Sequence, residues 1–331
     1  MTLSNEEEDK RPPLLVLVGP TAVGKTALSL KLAKALNAEI ISGDSMQVYR
    51  GMDIGTAKLR PEEMEGVPHH LIDIRDPEHP FSVSEFQSLC TDAIKEIHSR
   101  GRLPFIVGGT GLYVESVCYG FRFQDFGADE AYRAEMRAYA AEKGAQALHG
   151  KLAEVDPVTA AKLHPNDEGR IIRALEVFKL TGKPLSEAQS QSRGEEKKSP
   201  YKLCLIGLTM DRDELYRRID ARVDLMLEAG LVEEVRGLLD AGVPRGSVSM
   251  RGLGYKEIAA YLAGETSYED AVTILKRDTR HFAKRQLSWF RHMQGLEWAE
   301  VGGDAKNSAL FQRICAIIAG KFQIDIEYIC S

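Results

Sequence analysis

Long apolar runs are missing from this chain: no segment approaches the roughly 20 consecutive apolar residues that span a bilayer, so no membrane association is expected. The segment Met1 to Arg11 has neither the basic start nor the apolar stretch of a secretory signal. It carries the acidic run Glu6-Glu7-Glu8-Asp9 and reads as a solvated tail. Cysteine is scarce, and no two of Cys90, Cys118, Cys204, Cys315 and Cys330 stand at C-x-x-C spacing. Neither a zinc site nor a disulfide framework is therefore indicated, and a reducing cytoplasm fits. Basic residues are not in excess: the net charge is −6, which taken as an average speaks against a nucleic-acid partner. No internal repeat is visible.

What remains is an ordinary globular composition, 44% hydrophobic and 28% charged over 331 residues, enough for a large core plus one added or inserted subdomain. Leu14 to Val18 is a continuous apolar run, as expected of a strand buried on both faces of a parallel sheet. It feeds into Gly19, Pro20, Thr21, Ala22, Val23, Gly24, Lys25 and Thr26, which match G-x-x-x-x-G-K-[ST] at every defined position. A helical pattern follows, so strand, loop and helix come in the order a P-loop requires. Glycine lets the backbone wrap so that N–H groups and the helix N-terminus face phosphate oxygens. Lys25 adds a positive charge, and Thr26 can hold Mg²⁺ through its hydroxyl.

Further strands are expected at 38–42, 103–107 and 202–206, interleaved with helices. The pattern predicts an α/β fold: a P-loop NTPase-like parallel sheet flanked by helices, with an inserted all-helical subdomain. The expected division is an acidic flexible tail (1–12), the first part of the core (13–122), a helical insertion (123–200) and the second part of the core with basic C-terminal helices (201–331). Helices are expected over 134–152 and 170–180 in the insertion, one or two over 211–239, and one over 268–293. Residues 190–200 read as a polar loop closing the insertion. The residues beyond Val301 carry no functional signal.

The strands at 103–107 and 202–206 end without an acid at their tips, which disfavours motor or switch hydrolysis. The acid at a strand tip is Asp44, after 38–43. There a carboxylate can take a proton from an incoming nucleophile, or serve Mg²⁺ or a helix N-cap. Gly108-Gly109-Thr110-Gly111 is a second turn at a strand tip, where ligands collect in such sheets. Arg218 and Arg222, one helical turn apart, either clamp phosphates from the far side or carry solvent-facing charge. His69-His70 is a weak metal candidate, since neighbouring side chains on a strand point apart. The run Lys284 to Arg291 is either a nucleic-acid footprint with a stacking aromatic or an amphipathic helix with Leu287 and Phe290 in the core.

Together these stretches resemble the tRNA dimethylallyltransferase (tRNA isopentenyltransferase) family, bacterial type, from about Leu14 to Trp298. The carrying motifs are GPTAVGKT at 19–26, DSMQVYRGMDIGTAK at 44–58, HHLID at 69–73 and GGTGLY at 108–113. HPND with RIIRALEV at 164–177, RIDARVDLML at 218–227, RGLGYKE at 251–257 and AKRQLSWFR at 283–291 follow. The resemblance implies transfer of a dimethylallyl group from dimethylallyl diphosphate to the exocyclic amine of the adenosine just 3′ of the anticodon. It also implies a cytoplasmic monomer that uses Mg²⁺ and lacks the eukaryotic zinc finger. The P-loop residues, with Arg218 and Arg222, would hold a diphosphate or nucleotide. Thr21, Lys25, Thr26 and Arg222 would stabilise the leaving diphosphate. Asp44 would accept the proton, Thr110 would orient the acceptor, and Ser45, Met46 and Gln47 would line the space around a flipped base. The tRNA would be faced by Arg133, Arg170 and Arg173 in the insertion, by Arg251, Gly254, Tyr255 and Lys256, and by Lys284, Arg285, Gln286, Trp289 and Arg291. The alternatives are a small-molecule P-loop kinase and an RNA-binding protein switched by a nucleotide.

Overall fold

The structure, a computed structural model, describes residues 9–123, 126–187, 198–302 and 304–324. The chain divides into two compact units, Met1–Phe121 with Ser199–Ser331, and Arg122–Lys198. The tail's residues 1–8 and most of the expected loop at 190–200 lie outside the described residues.

In the first unit, six parallel strands form one sheet: β1 (Pro13–Val18), β2 (Ala38–Gly43), β3 (His69–His70), β4 (Leu103–Gly108), β5 (Lys202–Thr209) and β6 (Leu296–Glu300). Their order is β3-β2-β4-β1-β5-β6, so the strand feeding the P-loop lies between β4 and β5. Alternate side chains enter two separate cores. Leu14, Val16, Val18 and Ile106 join one, which is covered by α2 (Val83–Ser99) and α3 (Gly111–Cys118) through Phe86, Ile94, Val114 and Val117. Leu15, Leu17, Phe105 and Ile206 join the other, covered by α1 (Lys25–Ala35) and, further along, by α8 (Arg212–Glu228) through Leu32, Leu215 and Ile219. Both faces being covered is why the central strands read as unbroken apolar runs rather than alternating ones.

The remaining helices of this unit are α9 (Leu231–Asp240), α10 (Tyr255–Leu262), α11 (Tyr268–Phe290) and α12 (Asp304–Phe322). The single-or-double expectation for 211–239 resolves as two helices, parted by Gly230 at φ 99°. Helix α12 was not expected from the sequence, and its Leu310, Ile314 and Ile318 complete the second core. Strands β3 and β6 were also missed. Both are sheet edges with mixed polarity, so neither carries the apolar signature of the centre.

The second unit contains α4 (Glu130–Lys143), α5 (Ala145–Val155), α6 (Pro157–Ala160) and α7 (Glu168–Thr181), gathered around Leu148, Leu152, Ile171, Ile172 and Leu175. The single helix expected over 134–152 is two, because Gly144 adopts φ 88°, ψ 159° and breaks the ladder. Glu176 is fully buried here, held by Arg133 at 2.8 Å and Arg173 at 2.5 Å. Burial works against its charge, but the hydrogen bonds from Arg133, the Asp129 amide and Arg173 outweigh it and keep the carboxyl below its usual range.

The sheet positions the site through one close contact at the carboxyl ends of β2 and β4. Gly43 and Gly108 are register partners, and a Cβ on Gly108 would stand 2.2 Å from the Gly43 carbonyl oxygen. Gly108→Ala must therefore push the two strand ends apart. It should cost about 2–3 kcal/mol of stability, the usual price of overpacking, read as a lower urea midpoint at unchanged m-value.

Candidate active site

Three loops leave the carboxyl ends of β1, β4 and β2, where ligands gather in such sheets. The first is the P-loop. Gly19 leaves β1 against β5, where a Cβ would stand 2.9 Å from the Leu208 carbonyl oxygen. Ala22 at φ 64° and Gly24 at φ 99° continue the wrap into α1. The Lys25 ammonium turns inward and donates to the carbonyls of Gly19 at 2.9 Å and Pro20 at 2.8 Å. Thr26, in the first turn of α1, is exposed.

The second loop, from β4, carries Gly109, Thr110 and Gly111 into α3. The third, from β2, begins with Asp44, whose Oδ1 accepts from the Met46 amide at 2.8 Å. Thr110 joins the two: its amide donates to the Gly43 carbonyl at 3.2 Å, and its hydroxyl oxygen accepts from the Ser45 amide at 3.1 Å. Gln47 follows, its Oε1 accepting from the Ser42 hydroxyl at 2.8 Å and its Nε2 donating to the Thr56 carbonyl at 3.3 Å.

A charged group sits at the meeting point. Burial, then the Arg222 guanidinium, pushes the Lys25 ammonium down to about 7, and Asp44 opposes the shift. Burial likewise lowers Arg222, and Asp44 again favours its charged form. Two cations and one carboxylate thus share a partly desolvated space, a net positive charge suited to an anion. Arg218, one turn away on α8, instead pairs with Glu214 at 2.7 Å. Arg217 and Arg218 together hold the Glu214 carboxyl down at about 2. Equal spacing in sequence thus leads to two different surroundings.

Gln286 was expected among the residues facing tRNA, yet its side chain is buried between two loops. Its Oε1 accepts from the Thr21 amide at 2.9 Å, and its Nε2 donates to the Gly109 carbonyl at 3.0 Å. A Cβ on Gly109 would stand 2.2 Å from that Nε2, so the second glycine of the turn makes room for the clamp. Trp289, on the same helix, is 38% exposed and donates from Nε1 to Glu115 at 3.1 Å, and it packs over Gly111. Lys284, Arg285 and Arg291 are exposed and form no ion pair among the described residues. By contrast Lys276 and Arg280 are committed to Asp224 and Asp220 of α8. Arg251 is exposed, Lys256 pairs with Asp278 at 3.2 Å, and Tyr255 is buried against Gly55 and Gly252. In the second unit Arg170 is exposed, while Arg133 and Arg173 are the partners of Glu176 described above.

His69 and His70 have structural partners. His69 Nδ1 lies 2.8 Å from the Val67 carbonyl, and His70 Nε2 lies 2.7 Å from Glu39, which Arg100 also grips. Among the described residues no three His, Cys, Asp or Glu side chains gather as a metal cage. The oxygen donors present, the Thr26 hydroxyl beside a phosphate cradle, suit a hard divalent ion that arrives with most of its ligands on phosphate and water.

A family model described as IPP transferase matches residues 47–293, well over half of the chain. The tRNA dimethylallyltransferase of Geobacillus thermodenitrificans is 53% identical over 94% of this chain and 98% of its own length. The crystal structure of the full-length tRNA isopentenylpyrophosphate transferase from Bacillus halodurans superposes with a TM-score of 0.70 at 52% identity, covering 95% of this chain and 99% of that one. A eukaryotic dimethylallyltransferase, captured in crystallographic snapshots acting on tRNA, superposes with a TM-score of 0.78 at 28% identity, covering 95% and 80%.

Lys25 sets a pH dependence whose sign is fixed. With its pKa lowered to about 7, the folded protein binds fewer protons here than the unfolded chain between about pH 7 and 10.5. This site's contribution to stability therefore rises with pH across that window. A bound diphosphate favours the charged form, so binding takes up a proton and affinity falls as pH rises above about 7. Lys25→Arg stays charged throughout and lacks this component. Titration calorimetry with inorganic diphosphate, in two buffers of different ionisation enthalpy, should show greater proton uptake by the wild type than by Lys25→Arg. Equal uptake would mean that the ammonium is charged before the anion arrives.

Proposed function

The chain belongs to the IPP transferase family, and from that premise we propose that it transfers a dimethylallyl group from dimethylallyl diphosphate to a tRNA. The acceptor is the exocyclic amine of the adenosine immediately 3′ of the anticodon, and diphosphate is released. The observation that carries this reading is the tying of the P-loop, where Lys25 turns inward, to the Gly109–Thr110 turn by Gln286, and of that turn to the Asp44 loop by Thr110. It joins an anion cradle to a carboxylate at the tip of β2, one strand beyond β4, as a reaction with an anionic leaving group and a proton-bearing nucleophile requires.

The bond between the allylic carbon and the diphosphate oxygen breaks, and the electron pair leaves with the diphosphate. Lys25, Arg222 and the P-loop amides meet the charge that grows on that oxygen, where stabilisation in a desolvated site is most effective. The amine nitrogen forms the new bond to carbon and passes its proton to Asp44. An adenine amine is a weak nucleophile, so placement supplies much of the rate. Thr110, tied to Ser45, fixes the acceptor side, and Met46 and Gln47 line it. The base leaves its stack to reach this depth.

The Thr26 hydroxyl would hold Mg²⁺, which would supply charge neutralisation for the leaving diphosphate. Neither strand paired with β1 ends in an acid: β4 leads into Gly109 and β5 ends at Thr209. Asp211, the acid that follows β5, spends its carboxylate on the Asp213 and Glu214 amides at the start of α8. These features fit a bound diphosphate better than a hydrolysed triphosphate. No helix among the described residues is long and apolar enough to cross a membrane. We take the enzyme to be a cytoplasmic monomer whose second unit, with Arg133, Arg170 and Arg173, meets the tRNA.

The test incubates purified protein with Mg²⁺, unmodified tRNA and either labelled dimethylallyl diphosphate or labelled ATP. Allyl label should enter tRNA while ATP stays inert. Phosphate transfer without allyl incorporation would replace the reading with a kinase. Asp44→Ala should lower kcat by about 10²–10⁴-fold with the fold intact, and near-normal turnover would remove it as the base. Lys284→Ala with Arg285→Ala should weaken tRNA binding and reduce the salt slope of log K by about 2, measured by filter binding between 50 and 200 mM salt. An unchanged slope would return α11 to a purely structural role.

A further inference from the structure

The loop that begins at Asp44 is held in part from outside. Its far end, Asp53 to Gly55, presents three consecutive backbone amides to one side chain, Glu234 of α9. Oε2 accepts from Asp53 at 2.9 Å and Ile54 at 2.7 Å, and Oε1 accepts from Gly55 at 3.1 Å. Oε1 also accepts from the Tyr255 hydroxyl of α10 at 2.6 Å. All four donors are uncharged, so this carboxylate is spent on shaping backbone rather than on an ion pair. Tyr255 closes the arrangement from the side: a Cβ on Gly55 would stand 2.6 Å from its ring. Burial, reinforced by Glu234, raises the Tyr255 phenol and keeps it a donor.

The anchored turn reaches the site through a short bonded path. Next to Gly55, the Thr56 carbonyl accepts from Gln47 Nε2, and Gln47 Oε1 accepts from Ser42 on β2. Gln47 is thus stretched between a strand and the turn that Glu234 holds. Lys58 adds a second tie, donating to the Tyr49 carbonyl at 2.8 Å and pairing with Asp53 and Asp73. Among the described residues the P-loop, by contrast, forms no hydrogen bond to this turn; its own clamp is Gln286.

We propose that Glu234 is a positioning residue for the acceptor: by gathering the amides of residues 53–55 it fixes Gln47, and with it the place of the incoming base, while leaving the diphosphate cradle untouched. The proposal rests on the transferase reading above. It predicts a division that general loss of stability would not produce, because a destabilised fold loses both substrates together.

The test compares wild type with Glu234→Gln, which keeps shape but replaces one accepting oxygen with a donor facing donors. The variant should lose about tenfold or more in kcat/KM for tRNA, since small misplacement of a reactant is costly. Its Kd for inorganic diphosphate should stay within about twofold, because no bond of the P-loop is altered. Hydrogen exchange of the amides at 53–55 should accelerate. Parallel loss for tRNA and diphosphate, or no loss for tRNA, would overturn the proposal while wild-type activity leaves the transferase reading standing. If the wild type transfers no allyl group, that reading fails; unchanged exchange at 53–55 in the variant would then remove the anchor independently. Should Glu234→Gln fail to fold, Tyr255→Phe withdraws one donor from the same carboxylate. It should show the same selective loss at smaller size, and an unselective loss overturns the proposal.

Discussion

The contact between Gly43 and Gly108, too tight for a Cβ on Gly108, is the constraint on which the rest of the site depends. It brings the carboxyl ends of β2 and β4 together, so the loops they feed must share one space. Thr110 can then reach back to the Gly43 carbonyl and the Ser45 amide, which places the hydroxyl-bearing turn beside the Asp44 loop. Gln286 adds the third loop from outside the sheet, one amide group satisfying a P-loop donor and a Gly109 acceptor. Each tie is a hydrogen bond worth about 1 kcal/mol by itself. Their weight lies in geometry, because they fix the separation of the P-loop from the Asp44 carboxylate.

The same arrangement decides which charges count. Lys25, Arg222 and Asp44 come from three elements, and burial lowers Lys25 and Arg222 while Asp44 favours their charged forms. A turn away, Arg218 is neutralised by Glu214. On α11 the cations divide in the same manner. Lys276 and Arg280 tie that helix to α8, and Lys284, Arg285 and Arg291 are left to solvent. A protein of net negative charge can therefore offer a concentrated basic surface.

Much of this was legible before any coordinates. The central strands announce themselves because both faces are covered, and the P-loop pattern states its own geometry through Gly24 and Lys25. Asp44 is legible because a strand tip is a place with a known use. The edge strands β3 and β6 were not, since two and five residues of mixed polarity look like any loop. Gly144 breaks a helix whose periodicity continues across it, and α12 hides behind a pattern with no motif. Glu234 left no trace in the sequence: on a helix with acidic neighbours it reads as solvated charge, and only the fold shows three amides converging on it. Gln286 is expected to face outward, yet it turns inward to Thr21 and Gly109, since spacing cannot say which face of an isolated basic run is buried.

That glutamine lies 265 residues from the amide it holds. A chain made from its N-terminus displays Thr21 early, and the partner for its N–H arrives only when α11 has been synthesised. The P-loop can wrap, and β1 can pair with β4, well before then, but neither fixes the cradle against Gly109. Competence to grip an anion in its working shape is therefore a late event on the ribosome, withheld until the segment that carries the exposed cations has been made. A nascent chain that stalls short of residue 286 would carry a Thr21 amide without its glutamine partner.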